Sequence, residues 1–282
     1  MELTSLHTSA EDLVNGREAL LTNALRAFAG DRDVVGVFLS GSLAAGTADP
    51  YSDIDLRVVV RPERHAWFVD HRRDLPKAWP GFLFNEWLPG AQHCVSHFRP
   101  FNKVDIFYYA ADALRPSSWF TLPVKILHDP HGIVEDLLDR SKGFLFEVAE
   151  DEVDCSISKG IAAAHEVYRR AHRGELLYAH TLLDEFRQHI MRADDLLFDR
   201  TPHSALHANF DRRGSHAVMA MLSKSFGTYN AVALVSTLTT LVQLYRAQVT
   251  KLHDKFELSR PLTNDFAALE ILSALISSHR AT

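Results

Sequence analysis

Cysteine is scarce in this sequence, with only Cys94 and Cys155 among 282 residues. Two cysteines without metal-ligand spacing exclude a disulfide scaffold and a cysteine-rich zinc site, and they indicate reduced thiols in a cytoplasmic protein. The first residues lack the basic and apolar regions of a signal peptide, which agrees with a cytoplasmic location. Long hydrophobic runs are also missing, because Ser, Thr and Gln interrupt residues 231–244, so we expect no membrane contact.

Positive charge is in deficit, since 30 lysines and arginines face 36 aspartates and glutamates, for a net charge of −6. A protein that binds nucleic acid without sequence preference is normally basic. We therefore expect small-molecule partners rather than nucleic acid. The acidic balance is compatible with a cationic small substrate. The sequence leaves both a monomer and an oligomer open.

Strand-like runs stop near residue 148, and glycine becomes scarce beyond that point. Apolar residues then recur with helical spacing, which predicts helices over residues 153–171, 175–198, 215–226, 229–256 and 264–278. The sequence therefore predicts an all-α bundle for the C-terminal domain, residues 131–282.

The N-terminal part mixes helices and strands. Residues 9–28 and 61–74 have helical spacing, and Ser9 with Asp12 forms a predicted N-terminal cap. Strands are predicted over residues 35–39, 53–60, 82–88, 93–98 and 103–109. The predicted fold class is therefore α+β. A mixed β-sheet flanked by helices fills the first domain, residues 1–130, and a linker lies within residues 116–141.

The most informative stretch is residues 35–60, in which two strands flank a small-residue turn. Asp53 and Asp55 are two positions apart on the second strand, so both carboxylates point to one face. Like charges about 4 Å apart repel by roughly 4 kcal/mol at an effective dielectric near 20, and a divalent cation such as Mg²⁺ removes that cost. Gly41 and Ser42 lie upstream and offer backbone N–H groups and a hydroxyl to a phosphate chain. The pattern indicates nucleoside triphosphate chemistry.

The segment LSGSLAAGTADPYSDIDLRVVV, residues 39–60, resembles the signature of the polymerase-β-like nucleotidyltransferase superfamily. It is most similar to the nucleotidyltransferases that modify the antibiotics streptomycin, other aminoglycosides and lincosamides. The resemblance implies a nucleotidyltransferase domain in residues 1–130 and a helical substrate-binding domain in residues 131–282. It also implies a magnesium-dependent enzyme with two Mg²⁺ ions. Such an enzyme moves a nucleoside monophosphate onto a hydroxyl of a small antibiotic. The donor is ATP, which supplies AMP, or another nucleoside triphosphate.

A third carboxylate is expected beside this pair, as a metal ligand or as the general base. Asp105 is the best candidate, because it lies between Val104 and Ile106 in an apolar strand, where an acid is costly unless it is paired or metal-bound. Similar enzymes place their third acid on the strand after a hairpin, as here. The alternative is an edge-strand acid that faces water.

Glutamates remain competing candidates for the general base. Glu86 alternates with apolar residues on a predicted strand, and Glu147, Glu150 and Glu152 lie at the start of the helical half. The acids of a helix start are also explained by solvation and the helix dipole.

Three further residues are candidates for phosphate contacts or charge balance. Ser52 precedes Asp53 and either contacts the triphosphate, as in similar enzymes, or caps a turn. Lys159 either reaches the phosphates as a point charge or is solvated. Arg57 shares the face of the two aspartates and could neutralise them.

Acids of the helical half are candidates for binding the amines of a cationic drug, although we expect most of them to lie on the solvated faces of amphipathic helices. They are Glu166, Glu175, Asp184, Glu185, Asp194 and Asp195.

Two other functions compete with antibiotic modification. One is a protein-modifying, AMPylating nucleotidyltransferase of the toxin–antitoxin kind, and the other is a nucleotide-binding regulatory module without catalysis. Intact acids at the three positions favour an enzyme over the regulatory module.

Overall fold

The computed structural model describes residues 8–201 and 206–278 of the chain. The chain divides into two compact units, residues 1–145 and residues 146–282. The division falls after the expected boundary at residue 130, because Val134 packs against Val35, Phe38 and Val59 of the first unit.

The first unit contains a six-stranded mixed sheet. Its strands are β1 (Val34–Leu39), β2 (Ile54–Val60), β3 (Phe82–Glu86), β4 (His93–Phe98), β5 (Asn102–Ala110) and β6 (Lys125–His128). Their order across the sheet is β3-β4-β5-β2-β1-β6. All neighbours are antiparallel except β2 and β5, which are parallel.

The described residues of this unit also form four α-helices: α1 (Ala10–Ala29), α2 (Gly41–Ala45), α3 (Pro62–Asp70) and α4 (Ile133–Ser141). The predicted cap at Ser9 is present, because the Ser9 hydroxyl accepts a hydrogen bond from the Asp12 N–H and the Asp12 carboxylate accepts one from the Ser9 N–H. The predicted second helix ends early at Asp70, and a separate 3₁₀ turn covers Leu75–Ala78.

The two faces of the sheet are covered unequally. Even-numbered residues of β2, such as Ile54 and Leu56, are buried in a core that includes Leu20 and Phe28 of α1. Odd-numbered residues point to the other face. There Val59 packs under α4, whereas Asp55, at the start of the strand, remains partly exposed. The sheet therefore has an open end on this face, at the beginning of β2.

The second unit is helical over its described residues. Its helices are α5 (Glu150–His172), α6 (Leu176–Leu197), α7 (Phe210–Arg213), α8 (His216–Leu222), α9 (Ala231–Phe256) and α10 (Leu262–Ser278). Apolar residues recur along α9 with helical spacing, and they are buried in the core of this unit, including Leu238, Leu241 and Tyr245. The mixed sheet and the helical region confirm the predicted fold class.

No helix among the described residues combines the length and apolar character needed to cross a membrane.

Candidate active site

Three aspartates meet at the open end of the sheet. Because β2 and β5 are parallel and in register, Asp55 lies directly opposite Asp105. Asp53 lies just before β2, two positions ahead of Asp55. The structure therefore brings together the three acids that the sequence singled out, although they are up to 52 positions apart in the chain (105 − 53).

Two basic side chains lie among these acids. Lys103 Nζ is 2.7 Å from Asp53 Oδ2 and 3.3 Å from Asp105 Oδ1, so one ammonium bridges two carboxylates. Arg57 Nη2 is 3.7 Å from Asp55 Oδ1, and its guanidinium lies 3.8 Å above the centre of the Phe107 ring. This confirms the proximity expected for Arg57, whereas Lys103 was not predicted.

The electrostatics of the cluster reflect partial burial. Burial raises the pKa of Asp55, and the neighbouring charge of Asp53 raises it further, against the opposite effect of Arg57 and Lys103. Burial likewise raises the pKa of Asp105, and Lys103 opposes that shift. Burial by itself would lower the pKa of Lys103, but its bonds to Asp53 and Asp105 raise it overall. The cluster holds more negative charge than its cations balance.

One oxygen of the cluster has no hydrogen-bond partner. Asp105 Oδ1 is inaccessible to solvent and accepts no hydrogen bond, although Lys103 Nζ lies at 3.3 Å. Buried polar atoms in folded proteins are normally hydrogen-bonded, and catalytic or ion-binding roles are among the reasons for exceptions. The orphaned oxygen marks unused acceptor capacity at this position.

Gly41 lets the turn after β1 approach Asp55 closely. A Cβ atom on Gly41 would lie 2.1 Å from Asp55 Oδ2, and its φ of +64° favours glycine as well. The Ser40 N–H donates a 3.1 Å hydrogen bond to the Asp55 carbonyl. Ser42 follows in α2, half-buried. The predicted phosphate-binding turn is therefore adjacent to the carboxylates.

The loop that leads into β2 is held in place by Arg17 of α1. Arg17 Nη1 donates to the carbonyls of Asp49, at 2.5 Å, and Ser52, at 3.1 Å. The Ser52 hydroxyl accepts a 2.9 Å hydrogen bond from the Asp49 N–H. In this structure Ser52 therefore caps a turn, which is one of its two expected roles. Asp53 is positioned by this fixed loop.

A cavity of about 520 Å³ adjoins the cluster on the Lys103 side. Its lining includes Tyr51, Asp53, His97, Phe101 and Lys103. Tyr51 and Phe101 are mostly exposed aromatic rings. The cavity offers a partly aromatic wall next to the carboxylates.

The donor set fits an oxygen-liganded divalent cation. The available atoms are carboxylate oxygens, one of them orphaned, beside a turn that a Cβ would obstruct. Within residues 8–201 and 206–278, no three acidic, histidine or cysteine side chains are arranged around a single point as metal ligands. The Lys103 ammonium stands between Asp53 and Asp105.

The other candidate residues belong to other strands and helices. Glu86 is exposed on β3 and approaches His97 Nε2 at 3.5 Å. In the helical unit, Glu150 accepts a 2.7 Å hydrogen bond from the Ser259 N–H, and Glu152 lies 3.6 Å from Arg192. Lys159 is exposed on α5. Their proposed roles remain predictions.

Most of the acids considered for binding drug amines already have arginine partners. Glu166 contacts Arg169 and Arg170, and Glu175 contacts Arg170 and Arg173.

Three more acids of this set are paired in the same way. Asp184 contacts Arg187, and Asp194 and Asp195 both contact Arg200. Both of these aspartates are almost fully buried. Solvated helix faces were therefore a wrong description of Asp194 and Asp195, which are core residues.

The sequence interpretation missed Lys103 and Arg17. A signal for Lys103 was available, because it is two positions before Asp105 on a strand and must share its face. Arg17 had no comparable signal, since its partners are backbone carbonyls 32 and 35 positions away.

Comparison with known proteins supports a nucleotidyltransferase assignment for the first unit. A family model described as a nucleotidyltransferase domain matches residues 21–108, which include Gly41 and all three aspartates. No curated protein sequence matches the chain.

Several solved structures are similar to the chain, and two of them are described here. One is an aminoglycoside 6-adenyltransferase from Bacillus subtilis, at 14% identity and a TM-score of 0.45, covering 98% of this chain and 100% of that one. The other is a nucleotidyltransferase-like protein from Exiguobacterium sibiricum 255-15, at 15% identity and a TM-score of 0.42, covering 93% and 89%. The assignment rests on the family model that matches residues 21–108. The chain therefore carries a nucleotidyltransferase domain over residues 21–108, which confirms the resemblance drawn from its signature segment and makes the protein a transferase.

Proposed function

We propose that the protein is a magnesium-dependent nucleotidyltransferase that moves AMP from ATP onto a hydroxyl of a small antibiotic, an aminoglycoside or a lincosamide. One observation carries the proposal. Asp55 and Asp105 are register partners on parallel strands, with Asp53 on the same side and the Gly41 turn against Asp55. Such crowding of acids is costly unless a cation and a phosphate chain use it.

Asp53, Asp55 and Asp105 would hold two Mg²⁺ ions in this proposal. When bound, the metal ions would neutralise charge on the triphosphate and favour the ionised form of the attacking hydroxyl. The orphaned Oδ1 of Asp105 supports its assignment as a ligand or as the base, because that oxygen accepts no hydrogen bond from the protein.

The chain's own residues position the two substrates. The turn at Gly41 and Ser42 would take the β- and γ-phosphates, since Gly41 has no side chain to obstruct them. Asp105 would accept the proton of the acceptor hydroxyl as it attacks the α-phosphorus, and pyrophosphate would leave toward the turn. Lys159 is proposed to add a positive charge to the phosphate site. Alignment and charge neutralisation account for most of the rate enhancement.

The antibiotic acceptor is inferred from the signature segment, residues 39–60, and from the cavity beside Asp53. Exposed rings of Tyr51 and Phe101 suit the apolar faces of sugar rings. Arg pairing of the acids in the helical unit leaves less free carboxylate for drug amines than the sequence suggested. We therefore include lincosamides on equal terms with aminoglycosides.

A two-stage assay tests this function. Thermal-shift screening with ATP, magnesium and an antibiotic panel should identify acceptors, because ligands of the native state raise its melting temperature. Pyrophosphate release and mass spectrometry of each hit should then show AMP on the antibiotic. ATP binding with no release would favour a regulatory module, and AMP found on cellular proteins instead would favour the AMPylating alternative.

A further inference from the structure

We propose that Lys103 is a built-in counter-ion of the carboxylate cluster, and that a divalent cation must displace it from Asp53 and Asp105. The inference deepens the proposed function and rests on it, since it concerns the same metal site. The carrying observation is the position of Lys103 Nζ, 2.7 Å from Asp53 and 3.3 Å from Asp105.

The ammonium occupies the space that a shared metal ion would need. A cation that bridges two carboxylates must lie close to an oxygen of each, and Lys103 already does so. A second positive charge in the same gap would be repelled at close range. Lysine and metal ion are therefore mutually exclusive between these two acids.

The cavity beside the cluster can accommodate the Lys103 ammonium when a metal ion displaces it. Its side chain is 34% exposed, and it lines the cavity of about 520 Å³ beside the cluster. A lysine carries its charge on a flexible four-carbon chain, so the ammonium can turn into this cavity without backbone movement. Once displaced, it would stand on the side where Tyr51 and Phe101 form the wall.

Arg57 serves the third acid in a different way. It lies 3.7 Å from Asp55, outside hydrogen-bond distance, and it is stacked on Phe107. A stacked planar guanidinium is less free to move than a lysine. Arg57 therefore remains in place beside Asp55, and Lys103 is the exchangeable cation.

A measurable consequence is that Lys103 weakens metal binding in the absence of nucleotide. Any cation that competes for the same ligands lowers the apparent affinity of the metal, and the coupling is reciprocal. Removing the ammonium should leave two unneutralised acids that attract a divalent cation more strongly. Replacing it by another cation should preserve the competition.

The test is a Mn²⁺ titration of the full chain without nucleotide, followed by electron paramagnetic resonance of free Mn²⁺. We expect Lys103→Met to bind Mn²⁺ about tenfold more tightly than the wild type, and Lys103→Arg to stay close to it. Lys77→Met is the matched control, because Lys77 pairs with Asp74 at 2.8 Å on the surface and should leave Mn²⁺ affinity unchanged. Circular dichroism checks folding, and Lys103→Gln replaces the methionine variant if that protein does not fold.

The outcomes separate this inference from the function on which it rests. Tighter binding confined to the uncharged Lys103 variants supports it. If the uncharged variants bind Mn²⁺ only as tightly as the wild type does, or more weakly, the inference is overturned and the metal site is unaffected. Failure of every variant to bind Mn²⁺ overturns the inference and the metal-dependent function together.

Discussion

Neighbouring aspartates occur in both units of the chain, in contrasting surroundings. In the helical unit, Asp194 accepts hydrogen bonds from Arg200 at 2.7 Å, from the Ser215 N–H at 2.9 Å and from the Ser215 hydroxyl at 2.6 Å. Asp195 is bonded to Arg200 and also to Arg213. At the sheet, Asp105 keeps an unbonded oxygen, and the arginine beside Asp55 stands 3.7 Å away.

The completeness of hydrogen bonding distinguishes a structural cluster, in the helical unit, from a proposed binding cluster, at the sheet. Buried charges are tolerated when the fold supplies partners, as around Asp194, and such groups contribute rigidity. Charges left partly unsatisfied at an open face raise the energy of the free protein and favour a ligand that satisfies them. Both clusters contain adjacent acids and basic residues, so partner geometry rather than composition distinguishes them.

The largest expected effect is on catalysis at the sheet cluster. Asp53→Ala should lower AMP transfer by about 10³-fold or more, because it removes a proposed metal ligand. The native fold should persist, as circular dichroism would show. Asp74→Ala is the matched control, since Asp74 is exposed and also pairs with a lysine. Full activity of Asp53→Ala would refute the assignment of the sheet cluster as the catalytic centre.

Asp194→Ala should affect stability, because it leaves Arg200 and Ser215 without their acceptor in the core. Breaking a buried ion pair costs about 3–5 kcal/mol, which lowers the unfolding midpoint by roughly 10 °C. Glu270→Ala removes an exposed pair with Arg246 and should change stability by less than about 1 kcal/mol. Equal midpoints for the two variants would contradict a structural role for the helical cluster.

Gly41→Ala tests the contact between the turn and Asp55. The added Cβ would strike Asp55 Oδ2, and misplacing a reacting group by about 1 Å can cost roughly 10²-fold in rate. Gly46→Ala is a close control, because Gly46 also has a positive φ but no atom lies within 4 Å of its added Cβ. Kinetics of AMP transfer compare the two variants. A similar loss in both would attribute the effect to backbone strain alone.

The smallest expected effect is a gain in stability in metal-free buffer. Burial raises the pKa of Asp55 in the folded protein above its ordinary value of 3.8. Stability therefore falls as the pH rises from the pKa of the unfolded chain through that of the folded protein, and the whole loss is present at pH 7. Asp55→Asn removes the penalty and should raise the unfolding midpoint at pH 7, with little change near pH 3. Asp74→Asn should not stabilise, since the Lys77 hydrogen bond lowers the pKa of Asp74. A lower midpoint for Asp55→Asn at pH 7 would contradict this electrostatic account.

Local patterns predicted much of this fold. Strand β4 was predicted with the bounds that the structure has, and α9 with its buried face, because both depend on regular alternation or helical spacing. Strand β6 and helix α4 were missed within the expected linker. Strand β6 has only four residues, and its pairing with β1 brings together residues that are far apart in sequence. Such contacts leave no local signal.

In the site, too, features with a local sequence pattern were predicted, and those that depend on strand pairing were not. The local pair Asp53 and Asp55 was visible from spacing, and Asp105 from its apolar strand. That Asp105 lies opposite Asp55 depends on the parallel pairing of β2 with β5, which local patterns do not specify. The bridge from Lys103 to Asp53 depends on the same pairing. The sequence therefore identified the acids, whereas the cation between them required the structure.

Calorimetric titration of ATP into the wild-type chain, with Mg²⁺ and then with a chelator, tests most directly whether the sheet cluster binds a metal–triphosphate complex. We predict binding with Mg²⁺, marked weakening with the chelator, and marked weakening in Asp105→Asn even with Mg²⁺. The same affinity for ATP under all three conditions would contradict the account, because the three aspartates would then have no part in binding the nucleotide.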